Sequence, residues 1–374
     1  MKRAAFVAVV FVFAFVLPAT GAPLKVFIID VGQGSSTLIV GPAGKTVLVD
    51  AGPGPSASGH ILHLLSELHI RSLNAILATH YHSDHIGGFC DVLAATGAPK
   101  VAYDRGGDRL ASENSSPTPT DFTSYLGCIG PARNTVSADD DIDLGGGAVI
   151  HVLAVGDPDF RNAGTSDATT VRGGTRLPCA NTENEKSIAL AVEYRGFDML
   201  LMGDLTGVAD PPGRCRADAL NVEGPVGTLY AGPPFDRHAD VYVSDHHGSD
   251  ATSNGAAFLG TILPDVAVIS TGDSTTCGPG FNVYGDPGQR TLDRLWNVGV
   301  QKIYQTQEGG ARAVSRARPC TPVSGQVAPR DYHGVPHDFL YARDVRITTD
   351  GTTYTITNAA GGSDSYTVND AGGR

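Results

Sequence analysis

Several absences bound this 374-residue chain before any motif is read. None of its six cysteines forms a C-x-x-C pair, which removes the zinc-knuckle and zinc-ribbon frameworks. No apolar run reaches the ~20 residues that a bilayer span needs, and the one from Ala4 to Leu17 falls short of it. No internal repeat or coiled-coil pattern appears, so solenoid and fibrous architectures are set aside. Positive charge is scarce: 27 Lys and Arg stand against 39 Asp and Glu, a net charge of −12, so no cationic nucleic-acid face is advertised. The balance, 41% hydrophobic and 18% charged with 47 glycines and 23 prolines, is that of a globular protein rich in strands and loops.

The N-terminus, Met1-Lys2-Arg3, an apolar stretch to Leu17, then Pro18 and the small residues Ala19 to Ala22, has the charge, greasy core and small-residue exit of a secretory signal. This predicts a signal peptide over 1–22 and an exported chain, 23–374, in a periplasm or outside the cell, with no membrane anchor after cleavage. A retained anchor helix is the alternative. Losing Lys2 and Arg3 would take the charge from −12 to −14. The six cysteines (Cys90, Cys128, Cys179, Cys215, Cys277, Cys320) then favour disulfides, though six allow fifteen pairings. Cys128 and Cys179 bracket one irregular region and Cys277 and Cys320 another, so local staples are expected there. Cys90 is expected to be simply buried.

The most informative run is Ala78-Thr79-His80-Tyr81-His82-Ser83-Asp84-His85-Ile86-Gly87-Gly88. An H-x-H-x-D-H block packs four metal-ligating side chains into six residues, directly after the apolar stretch Leu73–Ala78, which reads as a buried strand. If the backbone stays extended one step further, His80 and His82 share a face. Asp84 and His85 then fall at a turn, before a short helix over Gly88–Thr96 closed by Gly97. Imidazole and carboxylate ligands suit zinc, and two such groups suit two metals a few ångströms apart. By contrast, His60, His63 and His69 flank a helical stripe of Ile61, Leu64, Leu65 and Leu68 and read as structural. The Asp139-Asp140-Asp141 run reads as a solvated turn.

In order along the chain, the other pieces are Val26–Gly34 with its Gly-Gln-Gly turn, Val47–Gly52, Asn184-Glu185-Lys186-Ser187, Met199–Asp204, Asp240–Ser249 ending His-His-Gly-Ser, Val268–Gly272, Asn282–Gly285 and Thr306–Gly309. From Lys25 to about Gly310 this series resembles the metallo-β-lactamase superfamily, and within it the hydrolase domain of the ComEC competence proteins and their secreted relatives. The resemblance implies an α/β fold, a four-layer αβ/βα sandwich of two mixed sheets flanked by helices.

It also implies roles. His80 and His82 would hold a first metal, Asp84 and His85 a second, and Asp204 would bridge them. The His246-His247 pair would give the second metal its last ligand. Counting alternation from Val241 and Val243 favours His247 as that ligand and His246 as a substrate-facing or proton-handling group, an assignment that can be exchanged. Asp84 and His246 are the catalytic candidates. Asp50 and Asp30 would stand behind the ligands, Asp50 fixing an imidazole. Ser249, Ser253, Asn254, Ser270 and Tyr284 are candidate substrate-side hydrogen-bond groups, with Asn184 and Ser187 near the place of a missing third imidazole of the first metal. His151, in the strand-like Ala148–Leu153, reads as a satisfied strand residue instead.

Three positions depart from the family pattern. Ser35 replaces an aspartate after Gly-Gln-Gly, Asp250 replaces the lysine after His-His-Gly-Ser, and Asp286 replaces a histidine after Tyr-Gly. The reading that follows is one domain with turn-rich insertions at 103–147, 156–184 and 206–237 rimming the cleft, and a C-terminal hairpin over 344–356, turned at Asp350-Gly351, completing the second sheet. The implied chemistry is hydrolysis by a metal-activated hydroxide, with two divalent ions, Zn2+ ahead of Mn2+. A small-molecule or nucleic-acid phosphodiester is the favoured substrate. Lactam, lactone or cell-envelope phosphoester hydrolysis is the alternative, and a non-catalytic metal-binding surface module is the alternative from another class.

Overall fold

Period-two alternation divides the apolar residues of the strands between separate cores. In β1 (Leu24–Ile28), Leu24, Val26 and Ile28 enter one core, while Phe27 and the following Ile29 enter another. A computed structural model describes residues 21–107, 119–156, 168–178, 182–207, 220–233, 235, 237–272, 286–307, 339–341, 344–358 and 362–368. Residues 1–20 of the expected signal segment (1–22), Tyr284, Cys179, Cys215, Cys277 and Cys320 lie outside the described residues.

After β1 come β2 (Thr37–Val40), β3 (Thr46–Val49), β4 (Ala75–Leu77), β5 (Val101–Asp104) and β6 (Arg133–Thr135), side by side in one sheet. The next strands are β7 (Asp141–Gly145), β8 (Ala148–Gly156), β9 (Ala168–Val171), β10 (Thr175–Pro178), β11 (Ala189–Tyr194), β12 (Phe197–Leu201), β13 (Val241–Val243), β14 (Val266–Ile269), β15 (Lys302–Gln305) and β16 (Phe339–Tyr341). They form a second sheet in the order β10-β9-β8-β11-β12-β13-β14-β15-β16, with β7 beside β8. Strands β3 to β6 run parallel, and so do β12 to β16.

The chain ends with β17 (Val345–Thr349), β18 (Thr353–Asn358) and β19 (Ser363–Thr367). The terminal hairpin does not complete the second sheet: β17 pairs antiparallel with β1 in the first, and a third strand follows it. Val345 and Ile347 carry the same apolar alternation as Ile28 and Val26 opposite them, so this edge buries them in the core between the sheets.

Helices α1 (Pro55–Glu67), α2 (Ser83–Ile86), α3 (Phe89–Thr96) and α4 (Pro119–Ile129) cover the first sheet, and α5 (Glu223–Ala231), α6 (Ala256–Ile262) and α7 (Gln289–Asn297) cover the second. Three buried clusters, one between the sheets and one under each helical layer, make a four-layer αβ/βα sandwich. The gaps read from sequence as turn-rich contain more regular structure than expected. Phe122, Tyr125, Leu126 and Ile129 form the apolar stripe of α4, between flanks of Ser, Pro and Gly that masked it.

Packing α3 against α4 also corrects the disulfide expectation. Cys90 is bonded to Cys128, with Cα atoms 5.4 Å apart, rather than lying free in the core. Phe89 and Val92 of α3 pack in the same cluster as Tyr125 and Ile129 of α4, which brings the two sulfurs together.

Candidate metal centre

The carboxyl ends of both parallel runs open on the same region, the place where open α/β sheets bind ligands. Asp50 follows β3, the H-x-H-x-D-H block follows β4, Asp204 follows β12, His246 and His247 follow β13, and Ser270 follows β14. Two glycines allow the loops to meet. Gly34 (φ +148) lies against the metal block so closely that a Cβ would sit 2.4 Å from the Asp84 carbonyl oxygen, and the next residue, Ser35, donates its N–H to that oxygen at 3.0 Å. Gly203 (φ +59) turns the chain out of β12 where a Cβ would lie 2.7 Å from Thr79 Oγ1. A side chain at either position would push the ligand loops apart.

The block itself behaves as a strand exit followed by a single helical turn. His80 Nε2 and His82 Nδ1 lie 3.0 Å apart. Asp84 and His85 sit on α2, whose first turn places them across from His247: His247 Nε2 is 3.3 Å from Asp84 Oδ2. Strand alternation does not extend past β13 to the histidine pair, because the chain leaves the strand at Ser244. His246 (φ 49) and His247 (φ 56) are both left-handed, so these consecutive imidazoles are both directed at Asp204.

Asp204 stands between the two groups. Its Oδ1 lies 3.1 Å from His85 Nε2 and 3.7 Å from His247 Nε2. Its Oδ2 lies 3.7 Å from His80 Nε2 and 3.6 Å from His246 Nε2. The outward ring nitrogens are held by the protein: His80 Nδ1 by Thr79 Oγ1 (3.1 Å), His85 Nδ1 by Asp50 Oδ2 (2.7 Å), His246 Nδ1 by Thr252 Oγ1 (2.8 Å) and His247 Nδ1 by the Ser270 carbonyl (3.0 Å). Metal-binding imidazoles are oriented in this way.

Protonation divides the imidazoles: burial opposes charge on His80, His85, His246 and His247, yet Asp204 and Asp50 hold His85 well above its ordinary pKa and Asp204 and Asp84 raise His247. Burial pushes the His80 imidazole well below its ordinary pKa, and burial lowers His246 too, leaving both as neutral donors. Burial opposes ionisation of Asp204, yet His85, His246 and His247 hold its carboxyl well below the usual carboxylate range. Burial would also raise Asp84, but His247 and His85 hold it low. Among the described residues the ion pairs of Asp50, Asp84 and Asp204 are all with imidazoles, none with Lys or Arg. His85 Nε2, His247 Nε2 and Asp204 Oδ1 are buried and make no well-formed hydrogen bond. Such a set has the donors and the excess negative charge that a divalent cation requires. Two overlapping groups of donors, His80, His85, Asp204 and Asp84, His85, His247, are close enough to hold one, with His85 common to both.

Other sequence candidates fall elsewhere. Asp30 bonds Gln307 and the Gly32 N–H rather than any site imidazole, because the end of β1 ties down the chain at 307 and 344. The buried Ser187, Ser253, Asn254 and Ser270 side chains are used within the protein: Ser187 Oγ accepts from the Asp204 N–H, Ser253 Oγ donates to the Leu205 carbonyl, and Ser270 Oγ donates to the Gly34 carbonyl. The Asn254 amide braces Asp245 and Ser249 through their carbonyls. Ser249 is also nearly buried, and Thr252 Oγ1 is 3.4 Å from its hydroxyl. Asn184 keeps a buried Oδ1 with no partner. His151 bridges Asp141 (2.8 Å) and Glu193 (3.3 Å) on β8. Asp250 is paired with Arg290, which offsets its charge.

Sequence reading missed the support beneath the first two imidazoles. Arg105, wholly buried, forms a two-pronged ion pair with Glu183 (2.9 Å each) and stacks 4.3 Å from the Tyr81 ring centroid. Glu183 Oε1 also accepts the Tyr81 N–H at 3.1 Å, fixing the backbone between His80 and His82. An acidic residue directly preceding the Asn184–Ser187 motif was the available signal.

Residues 29–272 match the profile of the Metallo-beta-lactamase superfamily. The chain belongs to this superfamily. Among curated relatives of this metallo-β-lactamase superfamily chain, ComE operon protein 3 of Bacillus subtilis is 24% identical over 311 residues, 79% of this chain and 33% of that protein. Competence protein ComA of Neisseria gonorrhoeae is 26% identical over 282 residues, 75% of this chain and 31% of that protein. The chain thus spans about a third of the length of these relatives. Among solved structures, Zn(2+)-bound PqqB from Methylobacterium extorquens is similar over 66% of this chain and 89% of that one, at 13% identity and a TM-score of 0.38.

Proposed function

We propose that this protein is an exported hydrolase that works with two divalent metals, Zn2+ ahead of Mn2+, and cleaves phosphodiesters, nucleic acid included. One observation carries the two-metal reading: the two oxygens of Asp204 face different imidazoles, His85 and His247 on one side, His80 and His246 on the other. His80 and His82 would hold the first metal and Asp84, His85 and His247 the second, with Asp204 between the two groups. When bound, the metals supply Lewis-acid stabilisation of developing oxygen charge and a nucleophile drawn from water near neutral pH.

The protein's own residues set the rest. Asp50, Thr252 and the Ser270 carbonyl orient the imidazoles. Asp84, partly exposed and held ionised, is placed to receive a proton at its carboxylate at the mouth of the site. The choice of phosphodiester rests on the likeness to the ComEC-related proteins, and export rests on the N-terminal signal pattern. Lactam, lactone or cell-envelope phosphoester hydrolysis uses the same donors and remains the second enzymatic reading. Elemental analysis of the purified protein, with turnover of plasmid DNA, a chromogenic phosphodiester and a chromogenic lactam, tests this. Two metals per chain with DNA or diester cleavage is the expected result. Lactam turnover with DNA left intact favours the second reading, and bound metal with no turnover of any substrate favours a surface module.

A further inference from the structure

We infer that His246 is the third protein imidazole of the first metal, so that the adjacent residues His246 and His247 each serve a different ion. The inference rests on the two-metal reading above and assigns the one ligand which that reading leaves open.

Position is the first argument. His246 Nε2 lies 3.6 Å from Asp204 Oδ2, the oxygen that also lies 3.7 Å from His80 Nε2, and His80 Nε2 is 3.0 Å from His82 Nδ1. Donors around a tetrahedral zinc with bonds of about 2.0–2.1 Å are separated by about 3.3 Å. The three separations, each between successive donors in the series His246, Asp204, His80 and His82, bracket that value. His247 Nε2 instead faces Asp204 Oδ1 and Asp84 Oδ2.

Orientation is the second. A proton-handling histidine needs a ring nitrogen directed at the substrate or its water. His246 has one nitrogen tied to Thr252 at 2.8 Å and the other directed at the bridging carboxylate, the same arrangement as His85 between Asp50 and Asp204. Its 24% side-chain exposure places it at the rim of the first group, where His247, at 4%, closes the second.

Backbone geometry is the third. Two successive non-glycine residues at φ 49 and 56 are uncommon and cost free energy, which the fold retains here beside a His246 N–H bond to the Gly203 carbonyl (3.0 Å). In an extended strand, neighbouring side chains would point to opposite faces and only one imidazole could reach Asp204. The left-handed pair lets both reach it, and so replaces a histidine that would otherwise have to come from another loop. The rivals for the position are weaker. Ser187 Oγ is engaged with the Asp204 N–H, and Asn184 offers only a neutral amide oxygen.

The experiment is zinc titration of metal-free protein against a chromogenic chelator, with visible spectra of the Co2+-loaded forms. Wild type is expected to bind two equivalents. His246→Asn, which tolerates the left-handed backbone, is expected to keep one tight equivalent and weaken the other about 100-fold or more, with a changed Co2+ spectrum. Thr252→Val, which removes only the anchor, should weaken that same equivalent about 10-fold. Melting of the metal-free forms checks folding. If His246→Asn and Thr252→Val retain two tight equivalents and an unchanged spectrum while turnover falls, His246 handles protons and the inference is overturned. Loss of the first metal in Asn184→Ala, with His246→Asn unaffected, overturns it as well. A wild type that binds fewer than two metals sinks the two-metal reading, and the inference with it.

Discussion

Asp50 Oδ2 accepts a hydrogen bond from His85 Nδ1 at 2.7 Å, in a contact from which solvent is wholly excluded. The Thr79 N–H reaches its other oxygen at 2.8 Å and the Thr79 hydroxyl reaches Oδ2 at 2.8 Å. The carboxylate therefore fixes both the tautomer and the direction of His85, with Nε2 aimed at Asp204.

Replacing Asp50 with Asn keeps the shape and removes the charge and an acceptor. Outer partners of this kind are worth about 10–100-fold in metal affinity. Asp50→Asn is expected to weaken the equivalent held by Asp84, His85 and His247 by that factor and to leave the other nearly unchanged. Chelator-competition titration measures both. Equal weakening of the two would show that Asp50 stabilises the fold rather than one ligand.

The Arg105–Glu183 pair makes a different kind of prediction, about folding. Both side chains are fully buried, and Glu183 also receives the Tyr81 N–H. Removing one partner leaves an uncompensated buried charge, which costs about 3–5 kcal/mol. Arg105→Met is expected to lower the unfolding free energy by that amount in urea titrations. The double variant Arg105→Met, Glu183→Leu should recover part of it. A single variant within about 1 kcal/mol of wild type would mean that water reaches Glu183 in solution.

The two-sheet architecture and the metal block were legible because their signals are local. The apolar run Leu73–Ala78 contains β4, which ends at Leu77 just before the histidine block, and Gly97 closes α3. What the sequence hid depended on contacts between distant segments. Which sheet the tail joins depends on Val345 and Ile347 meeting β1, more than three hundred residues earlier. Which sulfur Cys90 meets depends on how α3 packs on α4. The direction of His246 depends on two left-handed residues, and Ser-Asp-His-His-Gly-Ser gives no firm signal for them, since positive φ is uncommon outside glycine even for histidine, which is enriched there. Likewise Ser253 and Ser270 looked like donors for a substrate, and burial turned them into braces.

The Cys90–Cys128 bond closes a loop of 38 residues between two helices of the outer layer. Chain-entropy arguments put its contribution at about 4 kcal/mol at most, and measured bonds of this kind give about 2–4. Cys90→Ser with Cys128→Ser is expected to lose stability in that range while keeping its metal stoichiometry, since neither sulfur touches a ligand among the described residues. Denaturation and metal analysis of the same sample separate the effects. Loss of metal at unchanged stability would contradict the separation of this outer clamp from the centre.

Glu223, fully buried at the start of α5, predicts how stability varies with pH. Burial pushes its carboxyl up to about 7, against hydrogen bonds accepted from the Asn254 N–H (2.6 Å) and the Gly255 N–H (2.9 Å). Beside it, burial and the neighbouring Glu223 push the carboxyl of Asp245 well above its ordinary pKa, and both Asp245 oxygens lack a well-formed hydrogen bond, so the two buried acids compete for a retained proton. A folded-state pKa above the unfolded value of about 4.3 means that the folded protein holds this proton more tightly. The resulting stability is complete below about pH 4.3, is lost as pH rises through about 7, and is absent above. The expected slope from this one group between pH 5 and 7 is about −1.4 kcal/mol per pH unit. Chelator must be present, because metal binding strengthens with pH and would mask the trend. Glu223→Gln keeps the shape but cannot ionise, so its unfolding free energy should lack this component of the slope. Identical pH dependence in wild type and variant would mean that Glu223 is ionised in the folded protein, and the proton shared with Asp245 would have to be abandoned.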